Sequence, residues 1–468
     1  MATEYSQVGE DVIRELRDGF RGETLLPGDD GYDEARAVYN AMIDRYPAII
    51  ARCTGVADVI AAVNFAREHD LPLAVRGGGH AVSGSSVCDD GIVIDLAEMN
   101  AVIVDPEART AYAQAGATWG DVDRETQAFG LVTPGGVVST TGIAGLTLGG
   151  GYSNIRRKYG LTVDNLRSVD LVTAEGEFLT ASAESHEDLF WALRGGGGNF
   201  GVVTGFEYDL HELGPEVMVV TAMYPLETAP TVLREWREFA DGAPDEITSQ
   251  APLWSVPAHP NFPEEHHGAP VVVVGGMYAG PVTEGKRAMQ PLREFGAPLV
   301  DLSGPVPYTQ AQQGLDPFFP KGELRSYWKS RYLADLSDEA IETVLEYAGS
   351  RPSPRTIVPI RARGGAINRV DPAATAFPDR HSPFLLSIDS TWEAPEDDEA
   401  NIEWTREFWE AMEPYASDSM YFNFSMEEVG DDATRATFSG NYDRLVDVKT
   451  EYDPGNVFRL NQNIEPAQ

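Results

Sequence analysis

The 468-residue chain carries 74 aspartates and glutamates against 35 lysines and arginines, a formal charge of −39 at pH 7. Phosphate contacts need clustered basic side chains, so this balance argues against a nucleic-acid partner. The chain is 42 % hydrophobic and 10 % aromatic, too apolar for a disordered polyanion, and no apolar run reaches the roughly 18 residues of a membrane span.

In chain order, the first twenty residues, MATEYSQVGEDVIRELRDGF, show neither a basic n-region nor an apolar h-region, so no secretory leader is expected. Residues 48–96 read β-α-β-β: a short run AIIARC, a helix VADVIAAVNFAREHD with Val56, Ile60, Val63 and Phe65 at helical spacing, then strands LPLAV and GIVIDL. AVIVD and TAYAQAGA follow as strands, then a helix over about 118–129. VDLVTAEGEFLTAS reads as a hairpin turning at Glu175 and Gly176, and HEDLFWALR as a short helix. From about residue 214 apolar strands (MVVTAMYPL, VVVVGGMYAG, TIVPIRARGG, FLLSIDSTWE) alternate with helical patterns, which predicts an antiparallel sheet covered by helices, an α+β unit. The end, YDRLVDVKTEYDPGNVFRLNQNI, reads as a helix, a turn and a polar tail. Length alone suggests two to three domains.

The charge is dispersed along the chain, and only Lys158, Lys286, Lys321, Lys329 and Lys449 are lysines. Dispersed acid stays soluble where salt screens self-repulsion, which reads as a salt-adapted, halophilic and cytoplasmic protein. Cys53 and Cys88 fall in no metal-ligand spacing and make no disulfide framework, so neither metal nor disulfide is expected.

Three glycine-rich segments stand out, at 76–84, 135–151 and 195–201. The stretch LAVRGGGHAVSGSS places three glycines directly before His80. Glycine permits close backbone approach at an entropic cost, so a ligand is expected against this loop. GGGNFG matches G-x-G-x-x-G, but a helix precedes it and a strand follows, the reverse of the dinucleotide fingerprint. Three such loops beside strands suggest amides gathered round one extended anionic ligand.

VRGGGH, PGGVVSTTGIAGLTLGGGY, KYGLTVDNL, DLFWALRGGGGNFGVVT and the C-terminal segment together resemble the FAD-linked oxidases of the vanillyl-alcohol oxidase type, in the berberine-bridge-enzyme-like branch. The resemblance spans about residues 40–465. It implies an α+β, two-domain FAD-binding fold with an antiparallel-sheet substrate domain. The FAD-binding part would be 1–213, the substrate part 214–425, and 426–468 would return to the FAD-binding part. It implies FAD attached through His80. Further cofactor contacts would come from Arg76, Gly77, Gly78, Gly79, Ala81, Ser83 and Gly84 in the first loop. The second loop would supply Val138, Thr140, Thr141, Gly142, Gly145, Gly149, Gly150 and Tyr152. Gly198, Gly201, Val202, Val203, Asn423, Asn461 and Asn463 complete the set.

The chain departs from the family at three places. Val138 stands where some members carry a second attaching cysteine, so a single covalent link is expected. Thr141 sits at the position associated with oxygen access, where a small β-branched residue suggests that oxygen passes. Phe424 replaces the tyrosine of a Y-x-N-Y pattern that serves several members as base, leaving Tyr421 as a candidate catalytic group or a core aromatic. On strand FLLSIDSTWE, Leu385, Ser387, Asp389 and Thr391 share a face. Asp389 is the candidate base if that face is the pocket, or a solvated strand-end acid if not. Ser387 would contact substrate. Arg361 and Arg363 share a face of TIVPIRARGG and would clamp an acidic substrate or pair with other acids. The implied function is FAD-dependent oxidation of a C–OH or C–N bond of a small molecule, with oxygen or another acceptor. A dehydrogenase, or a flavin-binding protein that has lost catalysis, remains an alternative, and the oligomeric state stays open.

Overall fold

The computed structural model describes residues 9–417, 419–426 and 431–467. Two smaller sheets and a two-stranded pair, Leu131–Val132 with His211–Glu212, occupy the N-terminal half. The first has the order Glu23–Leu25, Ile49–Arg52, Ile92–Asp95, Leu73–Arg76, with the last three strands parallel. Such strands are covered on both sides, and Ile49, Ile50, Ile92 and Ile94 are fully buried. The second is antiparallel, in the order Val102–Asp105, Thr110–Gln114, Val202–Asp209, Leu166–Val172, Phe178–Ser182. Its last pair is the expected hairpin, with Gly176 at φ +77° in the turn.

Helix Val56–Glu68 forms as expected, but Val59, Ala62, Val63 and Ala66 carry its buried face, while Val56 and Ile60 are only partly buried. The alanines pack closely because they are small, and a reading weighted to large residues passes over them. Helix Trp119–Gln127 starts at Thr118 through a capping box with Asp121.

From residue 216 the chain builds a nine-stranded antiparallel sheet. Helices Ala229–Gly242, Asp338–Gly349 and Asp398–Ala411 cover one face, over a core holding Trp236, Val344, Leu386, Ile388 and Phe408. Strand alternation sends the other residues to the opposite face: Met223, Val273, Trp328 and Asp389 look toward the N-terminal half.

The C-terminal helix Tyr442–Tyr452 and its tail return to the N-terminal core, where Tyr442, Leu445, Val448, Phe458 and Ile464 are buried. The fully buried Lys449–Asp453 pair (2.6 Å) fastens this return. Lys449 Nζ donates to the carbonyls of Asn199 (2.8 Å) and Phe458 (2.9 Å), joining the third glycine segment to the tail.

Candidate active site

The first two glycine loops lie backbone against backbone. A Cβ on Gly78 would meet Gly142 N at 2.5 Å, so side chains at this contact would force the loops apart. Gly145, in the first turn of helix Ile143–Leu148, faces open space. That space is a cavity of about 610 Å³ bounded by all three glycine segments, the tail and the inner face of the large sheet.

His80 lines the cavity, and its Nε2 is buried with no hydrogen-bond partner among the described residues. Burial, with a smaller contribution from nearby Lys321 and against a hydrogen bond to the His80 backbone, pushes its pKa down to about 4, so the imidazole is neutral at pH 7. Val138 and Thr141 line the wall beside it.

On the sheet side, Asp389 is 5 % exposed and one carboxylate oxygen, Oδ1, has no hydrogen-bond partner among the described residues. Burial raises its pKa to about 6, opposed by Arg361, whose Nη2 lies 3.7 Å from Oδ2. Arg361 donates to Ser387 Oγ at 2.6 Å, and its guanidinium carbon lies 4.6 Å from the Phe424 ring centre. Trp254, Phe262, Phe318, Phe319 and Trp328 make the far walls aromatic.

Tyr421 also lines the cavity. Its hydroxyl accepts from Gly151 N (3.1 Å) and from Asn423 Nδ2 (2.9 Å), and Asn423 Nδ2 also donates to Leu146 O (3.0 Å). Burial pushes the phenol pKa up, so Tyr421 keeps its proton at neutral pH. These bonds brace the second glycine loop.

Comparison with known proteins identifies this arrangement. A family model described as an FAD binding domain matches residues 47–182, and one described as berberine and berberine like matches residues 420–465. The uncharacterized FAD-linked oxidoreductase YgaK of Bacillus subtilis is 32 % identical over 457 residues, covering 96 % of this chain and 97 % of its own. The (R)-6-hydroxynicotine oxidase of Paenarthrobacter nicotinovorans is 30 % identical over 462 residues, 95 % of this chain and 97 % of its own. The crystal structure of 6-hydroxy-D-nicotine oxidase from Arthrobacter nicotinovorans aligns with a TM-score of 0.84 at 28 % identity, covering 96 % of this chain and 98 % of that one.

The chain is a berberine-bridge-enzyme-like FAD-linked oxidoreductase. Its cavity fits that cofactor on structural grounds. Gly145 leaves space that any side chain would fill, and the buried Oδ1 of Asn461 is unpartnered among the described residues at the tail end of the wall. Gly77, Gly78, Gly79, Ala81, Ser83, Gly142, Gly149, Tyr152, Gly198, Gly201, Val203, Asn423 and Asn461 of the oxidoreductase also reach this wall.

Several expected contacts of this oxidoreductase do not reach it. Arg76 turns away to pair with Asp95 (2.5 Å) and to donate to Ala35 O. Gly84 packs on Ile43, Gly150 backs onto Phe377, and Thr140 is exposed. Val202 points into the core because strand alternation gives the cavity to Val203. Asn463 lies outside the wall, its buried Oδ1 unpartnered among the described residues. Arg363 is no substrate clamp: strand Ile360–Ala362 ends before it, and its guanidinium pairs with Asp379 (2.8 Å) and lies over Tyr332. Ser387 is fully buried and supports Arg361 from below instead of touching the cavity. The sequence reading missed the aromatic wall and Tyr39, which stacks on His80. Trp254 and Trp328 fall in strands that the sequence pattern did not mark, and Tyr39 falls before any recognised motif.

Proposed function

We propose that this enzyme oxidises a C–OH or C–N bond of a small organic substrate and that dioxygen takes the electrons to give hydrogen peroxide. Bound FAD supplies the two-electron acceptor for the substrate hydride. Residues 1–213 and 426–468 form the FAD-binding part and 214–425 the substrate part. His80 holds the cofactor by a single covalent bond, since Val138 cannot make a second. Gly77, Gly78, Gly79, Gly142, Gly145, Gly149, Gly198 and Asn461 surround it.

The observation that carries this reading is Asp389, a buried carboxylate with a free oxygen in the same cavity as the glycine loops. Asp389 takes the hydroxyl proton of an alcohol substrate, the task that Phe424 cannot perform. Arg361 keeps enough of Asp389 ionised to act. Tyr421 and Asn423 position the second loop. The aromatic wall excludes water and orients the apolar part of the substrate. The relative named (R)-6-hydroxynicotine oxidase supports an oxidase. A dehydrogenase is the second reading, favoured by the Thr141 hydroxyl at the cavity wall.

Acid precipitation tests the attachment: colour should stay with the wild-type polypeptide and leave with His80→Ala. Colour leaving both would end the covalent reading. Mixing substrate-reduced enzyme with oxygen or with a dye acceptor then separates oxidase from dehydrogenase.

A further inference from the structure

The assignment of His80 as the attaching residue leaves open what holds its ring in place. We infer that Tyr39 is a positioning residue for that attachment, fixing the plane of the His80 imidazole; the inference rests on the covalent reading above. His80 follows three glycines, with Gly79 at φ +67°, so the loop itself restrains the side chain little. Rotation about the ring's own bond is broad, the ring's backbone hydrogen bond is to His80 itself, and Nε2 has no hydrogen-bond partner among the described residues to orient it. The ring contact with Tyr39 does: the centroids are 4.1 Å apart and the planes 15° apart.

Tyr39 is itself immobilised from both parts of the molecule. Its N–H donates to Gly79 O (2.8 Å), and Gly322 N donates to its carbonyl (2.9 Å). Trp328 backs the ring edge-on at 5.8 Å. Next to it, the fully buried Asn40 donates to Val82 O and Ser326 O (both 2.8 Å) and accepts from Ser326 N (3.0 Å). Residues 39 and 40 therefore grip the loop on both sides of His80 and tie it to strand Arg325–Leu333. They lie outside both matched family segments. Tyr39 is 1 % exposed, so its ring also keeps water off one face of an imidazole that must be neutral to attack.

In the attachment a bond forms between a ring nitrogen of His80 and the flavin 8α carbon. The C–H hydrogen of the methyl group and the imidazole N–H proton end on the flavin, which gains two electrons. Dioxygen removes the two electrons and two protons as hydrogen peroxide. Only the encounter of ring nitrogen and methyl carbon depends on the imidazole plane, and there Tyr39 acts.

The test uses holoenzyme of wild type, Tyr39→Phe, Tyr39→Leu and His80→Ala, purified after one fixed expression time. Intact mass and colour retained after acid precipitation give the covalent share of bound flavin, and total flavin per chain reports folding. Tyr39→Phe keeps the stacked ring and should match wild type. Tyr39→Leu should lower the covalent share roughly three- to tenfold at unchanged total flavin, the range of an aromatic pair contact. If Tyr39→Leu fails to load flavin, Tyr39→Met fills the same space without a flat ring and carries the test. A ring-less variant that matches wild type overturns the inference, as does a Tyr39→Phe variant as poor as Tyr39→Leu. If wild type holds no more covalent flavin than His80→Ala, the attachment reading itself has failed. If only His80→Ala loses it, the attachment stands and Tyr39 alone is dismissed.

Discussion

Asp389 and Phe424 share the cavity, and the contrast between them sets the acid–base chemistry at the scale of single residues. A phenylalanine cannot accept a proton, whereas a carboxylate at about pKa 6 can, once ionised. The base form increases as pH rises, so kcat/KM for an alcohol substrate should climb through about pH 6 and level off above it. Asp389→Asn should abolish that limb and lower the rate by about 10²- to 10⁴-fold. Arg361→Met should move the limb upward, because Arg361 holds the carboxyl down. A limb near pH 6 that survives in Asp389→Asn would place the base elsewhere.

At the scale of elements, the glycine loops differ position by position. Gly78→Ala would press a Cβ into Gly142 backbone, which cannot move aside as a flexible side chain would. Loss of flavin and a clear fall in Tm are expected. Gly145→Ala meets nothing in the fold and gains helix propensity, about 0.5–1 kcal/mol. The flavin-free protein should keep or raise its Tm while flavin retention falls. Equal effects of the two substitutions would contradict the cradle.

Helices Trp119–Gln127 and Tyr308–Gln312 meet across the two parts at a buried acid. Gln312 Nε2 donates to Gly136 O (2.9 Å) and reaches Asp123 Oδ2 at 3.4 Å. Burial lifts Asp123 to about pKa 7, with Gln312 opposing. A carboxyl raised in the folded state favours folding when protonated, so stability is full below the unfolded value near 4 and falls as pH rises through about 7. Asp123→Asn should remove this cost, and its stability advantage over wild type should grow between roughly pH 4 and pH 7, to a few kcal/mol, read as a widening Tm difference that levels off above pH 7. Parallel pH curves would show that Asp123 does not titrate there.

Across the whole molecule the acidic charge is kept outside the cavity: among the described residues, Asp389 is the one acidic side chain lining the wall. The remaining excess repels itself over the surface, and salt relieves that repulsion. Tm should therefore rise between roughly 0.1 M and 2 M potassium chloride. An equal Tm at both would end the salt-adapted reading. Among the described residues no helix is long and apolar enough to cross a membrane.

Local chemistry determined much of this protein from the sequence alone. Thr118 and Asp121 cap a helix by themselves, Gly176 makes its turn by its own φ, and period two put Asp389 on one face of its strand. The glycine motifs likewise announced close backbone approach. Periodicity names a face but not what covers it, and only the tertiary structure decided that. Arg361 and Arg363 are two residues apart, yet the strand ends between them and sends one to Asp389 and the other to Asp379. Arg76 ends a strand that feeds the cavity, yet a buried Asp95 captures it. Tyr39 meets His80 through contacts about forty residues apart in sequence, which no local pattern encodes. Partners brought together by packing fixed these orientations, because a buried polar side chain goes where its hydrogen bonds are met.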